Sequence, residues 1–513
     1  MKRHSFATRG ESVWVDAGRI ATKPALKSDL ETDVCVVGAG IAGMSTAYKV
    51  AKAGLRVVVL DDGRIGGGQT ECTTAHLSNM LDRRYVQIEA WRGAEIAALA
   101  AGSHTAAIQE IETIAAQEQI DCDFRRVNGY LFAPPGESTD VLDRELAAIL
   151  RTGAIAATPQ DRVPWPDFNT GPCLLIPQQG QFHPLKYLKG LAAAIKKTGG
   201  KFYGKSHVTK IKGGSPAFIT TEQGAVVTAK HVVVATNSPV NDWVTIHTKQ
   251  APYMTYVVGG RIPKQAVPEA LYWDTADPYH YVRLQDDPGS PDHAILIVGG
   301  EDHKTGQADD GEERFMRLQE WAEERFPSLE AISYHWSGQV MESIDGLGFI
   351  GHNPLDEDNV YIATGDSGLG MTHGTIAGIM ISDMILGHSN VWRDVYDPAR
   401  TPISTATEFL KENLNVALQY AKWLIPGEVP HIEELPPGHG AVVQRGLSKC
   451  AVYRDAQGQL TELSAVCPHL QCAVAWNPAE STWDCPCHGS RFDPQGKVLN
   501  GPANQDLAPW KEG

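Results

Sequence analysis

Long hydrophobic runs are missing from this 513-residue sequence. No stretch approaches the roughly eighteen consecutive apolar residues that a membrane-spanning helix needs, so we expect no membrane span. Residues 1–18 include basic side chains, but they contain neither the apolar centre of a secretory signal nor a twin-arginine pair. We therefore expect a cytoplasmic protein.

An excess of positive charge is missing as well. The chain has 45 Lys and Arg residues against 61 Asp and Glu residues, a net charge of −16. Bulk electrostatics therefore disfavour binding to nucleic acid or to an anionic membrane. Hydrophobic residues at 42% and charged residues at 21% are typical of a globular protein, and the length allows two or three domains.

Cysteine is sparse and unevenly placed, since five of the nine cysteines lie within residues 450–487. Here Cys467 and His469 form a C-x-H group, and Cys485 and His488 form a C-x-x-H group. Two cysteines and two histidines on two short loops are the ligands of a Rieske [2Fe–2S] cluster, in which the cysteines hold one iron and the histidines the other. A structural zinc site uses the same residue types, but zinc fingers usually place two Cys in one loop and two His in the other. We predict that these four residues bind a [2Fe–2S] cluster, with zinc as the alternative.

The segments beside these ligands, residues 489–493 and 501–503, resemble the Rieske family. The resemblance implies that Ser490 donates a hydrogen bond to a cluster sulfur. It also implies that Cys472 and Cys487 form a disulfide that joins the two cluster loops.

Phe492 stands where high-potential members of the Rieske family carry a tyrosine. Because a phenylalanine ring has no hydroxyl group, we expect one hydrogen bond to the cluster to be missing. Hydrogen bonds around the sulfurs help to set the reduction potential. We therefore expect a cluster of intermediate potential.

A second motif, G-x-G-x-x-G, occupies residues 38–43. The apolar segment 33–37 before it predicts a buried strand, 44–53 has helical spacing, and 57–60 predicts a second strand that ends at Asp61. The glycines allow a tight turn in which a pyrophosphate approaches the N-terminus of the helix, and an acid about twenty residues downstream binds the adenosine ribose. The complete βαβ pattern predicts a dinucleotide-binding unit.

Later segments resemble the D-amino-acid oxidase family of flavin oxidoreductases and follow that family's order. In chain order they are 66–70, 73–76, 231–237, 361–366 and 370–374. The resemblance implies FAD as the dinucleotide, with a helix N-terminus at the flavin N1–O2 edge that favours negative charge on the reduced ring. The residues expected at FAD are Gly38, Gly40, Ile41, Ala42, Gly43, Asp61, Asp62, Gly68, Gln69, Thr70, Thr73, Thr74, Val208, Ala235, Thr236, Gly365, Asp366, Gly370, Met371 and Thr372.

In that family the FAD-binding domain is discontinuous, and a substrate domain is interleaved with it. The expected fold is therefore an α/β Rossmann-type FAD-binding domain with an interleaved α+β substrate domain, followed by a small all-β Rieske domain. The expected ranges are 30–90, 170–250 and 335–390 for the FAD-binding domain, 91–169 and 251–334 for the substrate domain, 391–430 for a helical connector, and 431–513 for the Rieske domain.

The family oxidises a C–N bond of an amine or an amino acid, so a small molecule of that class is the expected substrate. Strand alternation predicts Tyr281 and Arg283 on one face, with Arg283 pairing with a substrate carboxylate or, alternatively, forming a structural ion pair. Trp336 and His373 lie in segments that resemble those near the flavin. For both of them, packing in the core is the alternative.

The pairing of cofactors predicts a route for electrons. FAD collects two electrons as a hydride, whereas a [2Fe–2S] cluster carries one electron at a time, so we expect electrons to pass singly between FAD, the cluster and an external carrier. The alternative is an electron-transfer reductase in which NAD(P)H reduces FAD and a partner oxygenase receives the electrons. That reading needs a second nucleotide-binding motif, and the sequence contains no other G-x-G-x-x-G unit of this kind. The sequence does not fix the direction of electron flow.

Overall fold

A computed structural model describes residues 10–241, 245–401, 403–421, 432–446 and 448–511. Its strands form two large sheets and two small ones. The strands are β1 (Leu30–Val37), β2 (Val57–Leu60), β3 (His76–Leu77), β4 (Arg125–Phe132), β5 (Thr158–Gln160), β6 (Cys173–Gln181), β7 (Lys201–Tyr203), β8 (Val208–Lys212), β9 (Ala217–Thr221), β10 (Val226–Val234), β11 (Gln250–Pro263), β12 (Ala270–Asp274), β13 (His280–Asp286), β14 (His293–Lys304), β15 (Ile332–Ser343), β16 (Phe349–His352), β17 (Val360–Thr364), β18 (His439–Arg445), β19 (Ser448–Arg454), β20 (Leu460–Ser464), β21 (Ala475–Asn477), β22 (Thr482–Asp484), β23 (Arg491–Phe492) and β24 (Val498–Asn500).

Helices pack against one face of the first large sheet, while β8 and β9 pack against its other face. The helices are α1 (Ile41–Lys52), α2 (Gln69–Cys72), α3 (Arg84–Arg92), α4 (Ala94–Gln117), α5 (Asp140–Thr152), α6 (Pro184–Lys197), α7 (Gly311–Arg325), α8 (Gly370–Leu386), α9 (Arg393–Tyr396) and α10 (Ala406–Ala421). No helix in the described ranges combines the length and the apolar character that crossing a bilayer requires.

The first large sheet contains the two strands on either side of the glycine-rich turn at residues 38–43. Its strand order is β16-β17-β10-β1-β2-β7, with β8 and β9 attached to β10. β1 pairs in parallel with both β2 and β10, and β10 pairs in parallel with β17. β2 is buried along its whole length, as expected for a parallel strand with both faces covered. α1 packs against α8 and α6, so the helix that follows the glycine-rich turn is fixed on both sides.

The second large sheet is mostly antiparallel and follows the order β15-β11-β14-β13-β12-β4-β6-β3, with β5 beside β6. α7 packs against β11 and β14. The long central strands β11 and β14 are buried over most of their length, because the sheet is covered on both faces. Its strands come from chain segments that alternate with those of the first sheet, so the two halves are interleaved.

Three strands join a different sheet from the one that the expected domain ranges imply. β3, β6 and β15 lie in segments that the sequence assigned to the FAD-binding domain, yet all three hydrogen-bond into the second sheet. β6 and β15 mix apolar and polar residues, so neither sequence identifies the sheet that it joins. Pairing partners, which local sequence does not encode, decide which sheet each strand joins.

The C-terminal part consists of two small antiparallel sheets, one of β18, β19 and β20 and one of β21 to β24. Part of the expected connector and of the Rieske range, residues 422–431, lies outside the described residues. Trp483 and Phe492 fill the core of this part, together with both predicted cysteine ligands. Since the small core includes the cluster loops, their shape depends on the packing of the whole domain.

Candidate cofactor and substrate sites

The first glycine-rich turn closes against the middle of the first sheet. Gly38 has a φ of +102°, and a Cβ there would lie 2.3 Å from the carbonyl oxygen of Ala235, so a side chain does not fit. The Gly38 N–H donates to the carbonyl of Leu60 at 2.8 Å. The turn thus lies at the carboxyl ends of β1, β2 and β10, the place where nucleotides bind in open α/β sheets.

Asp61 follows β2 and holds the turn in shape. Its Oδ2 accepts the N–H of Ala39 at 2.7 Å, and its Oδ1 accepts the N–H of Gly63 at 2.8 Å. Burial, with the neighbouring charge of Asp62, raises the pKa of Asp61 to about 6. Both carboxylates lie at the wall of a deep cavity.

This cavity is lined by residues of both large sheets and of the C-terminal part. Of the residues that the sequence assigned to FAD, those that line it are Gly38, Gly40, Ile41, Ala42, Asp61, Asp62, Gly68, Gln69, Thr70, Thr73, Thr74, Val208, Ala235, Thr236, Asp366, Gly370 and Met371.

Three of the predicted FAD residues lie behind the wall of the cavity. A Cβ on Gly43 would come within 2.0 Å of the Gly38 carbonyl oxygen, and one on Gly365 within 2.9 Å of the Phe349 ring. The hydroxyl of Thr372 hydrogen-bonds to Nδ1 of His104 at 2.7 Å, away from the cavity. The two glycines permit close packing, and the threonine fixes α8 to α4.

The second glycine-rich loop connects three parts of the site. Thr70, in the short helix α2, accepts the N–H of Ile41 through its hydroxyl oxygen at 3.0 Å. Its neighbour Gln69 accepts the N–H of Gln339 through Oε1 at 2.7 Å. The loop is therefore bonded to the first turn on one side and to β15 of the second sheet on the other.

Two polar groups at the start of α8 have no hydrogen-bond partner among the described residues. These are Oδ1 of Asp366 and Nε2 of His373, both buried and both on residues that line the cavity. Burial raises the pKa of Asp366 to about 7 and lowers the pKa of His373 to about 3, so the imidazole is neutral. Buried polar groups need partners. Together with the glycine turn and the helix N-terminus, these groups fit the polar edges of FAD.

On the side of the second sheet, the cavity wall carries aromatic and acidic groups. The Tyr281 hydroxyl lies 2.9 Å from that of Thr255. The Tyr279 hydroxyl donates to Oδ2 of Asp82 at 3.1 Å. Burial raises the pKa of Asp82 well above its usual value. Among the described residues, no Lys or Arg lines this cavity.

Arg283 lies in the interior, behind the wall of the cavity. Its guanidinium is fully buried and donates to the carbonyl oxygens of Thr74, Ala75 and Phe182 and to Oε1 of Gln285. It does not line the cavity. Its partners in this structure are backbone carbonyls and an amide oxygen, so pairing of Arg283 with a substrate carboxylate stays a prediction.

Trp336 is also set back from the cavity. The indole is 2% exposed, packs in the main hydrophobic core, and donates from Nε1 to the carbonyl of Cys72 at 2.9 Å. Trp336 therefore packs in the core, which was the alternative to a role near the flavin. Of the four residues predicted near the chemistry, only Tyr281 and His373 line the cavity.

The four predicted cluster ligands converge in the C-terminal part. The thiols of Cys467 and Cys485 lie within hydrogen-bonding distance of each other, and the rings of His469 and His488 are 5.1 Å apart between centroids. All four residues are buried. Two adjacent sulfurs beside two adjacent imidazoles fit the donor set of a Rieske cluster.

Neighbouring residues support this arrangement. Cys472 and Cys487 form a disulfide between the two loops. The Ser490 hydroxyl lies within hydrogen-bonding distance of the Cys467 sulfur and accepts the N–H of Ala503 at 3.0 Å. The loops are therefore fixed to each other and to the segment that follows β24.

The histidine side of this centre faces the part of the chain that contains the two large sheets, called the flavoprotein part below. His247, which precedes β11, places its ring 4.8 Å from that of His469 and 5.9 Å from that of His488. His469 is 7% exposed and His488 is 6% exposed. In this structure the two imidazoles are turned into the protein and away from solvent.

Several residues of the cavity wall were not predicted. Ser206 and His207 come from the segment before β8, and residues 498–501 with Ala503 come from the Rieske part. His207 hydrogen-bonds through Nε2 to the carbonyl of Asn504 at 2.9 Å. No local signal marks these residues, because they reach the cavity only when the two parts pack together.

Comparison with known proteins supports both the FAD site and the cluster site. Residues 33–384 match the family described as FAD dependent oxidoreductase, and residues 426–511 match the Rieske [2Fe-2S] domain. The chain belongs to the FAD-dependent oxidoreductase family. It is an FAD-dependent oxidoreductase with a C-terminal Rieske domain, as the motifs predicted.

Three similar proteins illustrate the relationship. A putative Rieske 2Fe-2S iron-sulfur protein of Bacillus subtilis, YhfW, is 31% identical over 99% of both chains. Gamma-glutamylputrescine oxidoreductase of Escherichia coli is 30% identical over 72% of this chain and 87% of its own. The structure of glycine oxidase from Geobacillus kaustophilus matches 72% of this chain and 99% of its own, with a TM-score of 0.60 and 19% identity. The last similarity shows a glycine-oxidase-like fold for the matched part of the chain.

Proposed function

We propose that this enzyme oxidises the C–N bond of a small amine or amino acid and passes the electrons singly between FAD, the Rieske cluster and an external carrier. The observation that carries the proposal is the proximity of the two sites. Gln339 lines the FAD cavity and also hydrogen-bonds to Gly489, the residue after His488. Two cofactor sites that share a wall are suited to exchange electrons directly.

The residues described above would hold both cofactors. When bound, FAD supplies a hydride acceptor for the carbon next to nitrogen, and the cluster supplies a one-electron carrier. The two glycine-rich turns and the N-terminus of α8 would bind the dinucleotide. Cys467, His469, Cys485 and His488 would bind the cluster. His373 is neutral because burial lowers its pKa to about 3, so it is suited to hydrogen-bond with the cofactor and not to pair with a charge.

The wall beside the second sheet favours an amine among the possible substrates. Asp82 can accept hydrogen bonds from an ammonium group, and a bound cation favours the ionised form of a carboxyl group whose pKa burial has raised. The rings of Tyr279 and Tyr281 lie 5.7 Å apart beside it and exclude water. Arg283, the candidate for a substrate carboxylate, is bonded to the protein.

An anaerobic titration tests the proposal. The holoenzyme with both cofactors would be mixed in turn with amines, amino acids and NAD(P)H while flavin absorbance and the EPR signal of the reduced cluster are recorded. We expect an amine to bleach the flavin and then to produce the cluster signal. Flavin bleaching that leaves the cluster oxidised would contradict direct exchange. Reduction by NAD(P)H alone would instead favour the electron-transfer reductase.

A further inference from the structure

The contact between the Rieske part and the FAD cavity centres on one side chain. Gln339 of β15 is 3% exposed. Its side-chain amide donates to the carbonyl oxygen of Gly489 at 2.7 Å, and its backbone N–H donates to Oε1 of Gln69 at 2.7 Å. Gly489 in turn donates its N–H to the carbonyl of Cys485 at 3.0 Å. A continuous series of hydrogen bonds therefore joins the second glycine-rich loop to the cluster loop.

Close packing fixes this contact. Gly489 has a φ of +80°, and a Cβ there would lie 2.4 Å from Cβ of Pro252 and 2.7 Å from Nε2 of Gln339. A second glycine allows similar proximity nearby, since a Cβ on Gly306 would lie 2.9 Å from the backbone nitrogen of Pro486. The cluster loop thus rests directly on backbone and side chains of the flavoprotein part.

We propose that Gln339 is a positioning residue that holds the cluster loop against the wall of the FAD cavity and so sets the rate of electron transfer between the two cofactors. This inference rests on the proposed function, which requires the exchange itself. With both cofactors bound, each transfer would move one electron from the flavin to the cluster, and an external one-electron acceptor would take it on. Two such transfers would balance the two electrons of the hydride, with the protons released to solvent.

The chain offers a matched control two residues earlier on the same strand. The Ser337 hydroxyl also bonds across to the Rieske part, donating to Oε1 of Glu480 at 2.6 Å. Unlike Gln339, Ser337 does not line the FAD cavity, and Glu480 lies outside the two cluster loops. Replacing Ser337 removes a contact between the same two parts without touching the series of bonds between the cofactor sites.

The experiment compares Gln339→Leu with Ser337→Ala in the holoenzyme. A photochemical pulse reduces the flavin under anaerobic conditions, and the electron's arrival at the cluster is followed by absorbance. We expect the Leu variant to slow this transfer about fivefold to tenfold, the change in a docking equilibrium expected when one buried hydrogen bond is lost. The cluster potential and the rate of flavin photoreduction should stay at wild-type values, and Ser337→Ala should transfer at close to the wild-type rate.

Hydrogen exchange supplies a readout that does not depend on turnover. Backbone amides of residues 485–490 should exchange faster in Gln339→Leu and stay protected in Ser337→Ala. Gln339→Glu keeps the shape of the side chain but places a carboxylate against the Gly489 carbonyl, so it should slow the transfer as well. This variant replaces Gln339→Leu in the experiment if the Leu variant fails to fold. Wild-type transfer rates in both Gln339 variants would overturn the role of Gln339. Absence of any flavin-to-cluster transfer in the wild-type protein would instead overturn the proposed function.

Discussion

The imidazole of His247 lies against that of His469, with 4.8 Å between the ring centroids. One ring belongs to the flavoprotein part and the other to a predicted cluster ligand, so the contact crosses between two parts that match different families. It covers the edge of the cluster site that would otherwise meet solvent. The histidine side of the cluster site therefore faces the interior of the protein and not solvent.

Gly38→Ala should prevent FAD from binding. The added Cβ would meet the Ala235 carbonyl oxygen at 2.3 Å in a residue with positive φ, so the turn at the end of β1 has to move. We expect purified Gly38→Ala protein to contain little flavin by absorbance. Gly54→Ala is the control, because Gly54 also has a positive φ, of +90°, but a Cβ there meets nothing within 4 Å. That variant should lose about 1 kcal/mol of stability and keep its flavin. Equal flavin content in the two variants would contradict the role of the turn.

Ser490→Ala should lower the reduction potential of the cluster. The hydroxyl lies within hydrogen-bonding distance of the Cys467 sulfur, and such bonds stabilise the more negative reduced state. The expected decrease is on the order of 50 mV, the one-electron equivalent of a hydrogen bond worth about 1 kcal/mol. Redox titration monitored by EPR measures it. The same titration of Phe492→Tyr should move the potential upward, and a Ser490→Ala potential equal to that of the wild type would argue against the bond.

Asp82→Asn should weaken amine binding. Loss of a hydrogen bond to a charged group costs about 1.5–3 kcal/mol, which corresponds to an increase in KM of at least about tenfold. The maximal rate of flavin reduction should change less, because in the proposed site Asp82 would bind the amine and would not contact the transferred hydride. Tyr279→Phe, which removes only the donor to Asp82, should raise KM by a smaller factor. An unchanged KM in Asp82→Asn would place the amine elsewhere in the cavity.

Asp302→Asn should stabilise the protein at high pH more than at low pH. Burial raises the pKa of Asp302 to about 7 from its usual 3.8, so the folded state holds this proton more tightly than the unfolded state. Its ionisation therefore destabilises the fold progressively as pH rises from about 4 to about 7, by up to a few kcal/mol at about 1.4 kcal/mol per pKa unit. The gain in melting temperature of the variant should grow over that interval and then level off.

Asp292→Asn, at an exposed position beside β14, is the control for this pH series. It removes an equal charge without changing a buried group, so its melting temperature should follow that of the wild type at every pH. A gain in melting temperature for Asp302→Asn that does not vary with pH would contradict the raised pKa of Asp302.

The local motifs predicted much of the molecule because each motif encodes its own geometry. The turn at Gly38, the acid at Asp61 and the start of α8 are each specified by a few neighbouring residues. Strand membership was less predictable. β6 and β15 mix apolar and polar residues, and their pairing with the second sheet depends on partners far away along the chain.

The sequence by itself determined the two cofactors and the family, because glycine spacing and Cys/His spacing act over a few residues. The tertiary structure decided which residues surround those motifs. It buried Arg283 among carbonyl oxygens, placed Asp82 at the cavity wall, and set Gln339 and His247 against the Rieske loops. These relationships arise from packing between segments that lie up to hundreds of residues apart, and that packing is a property of the whole fold.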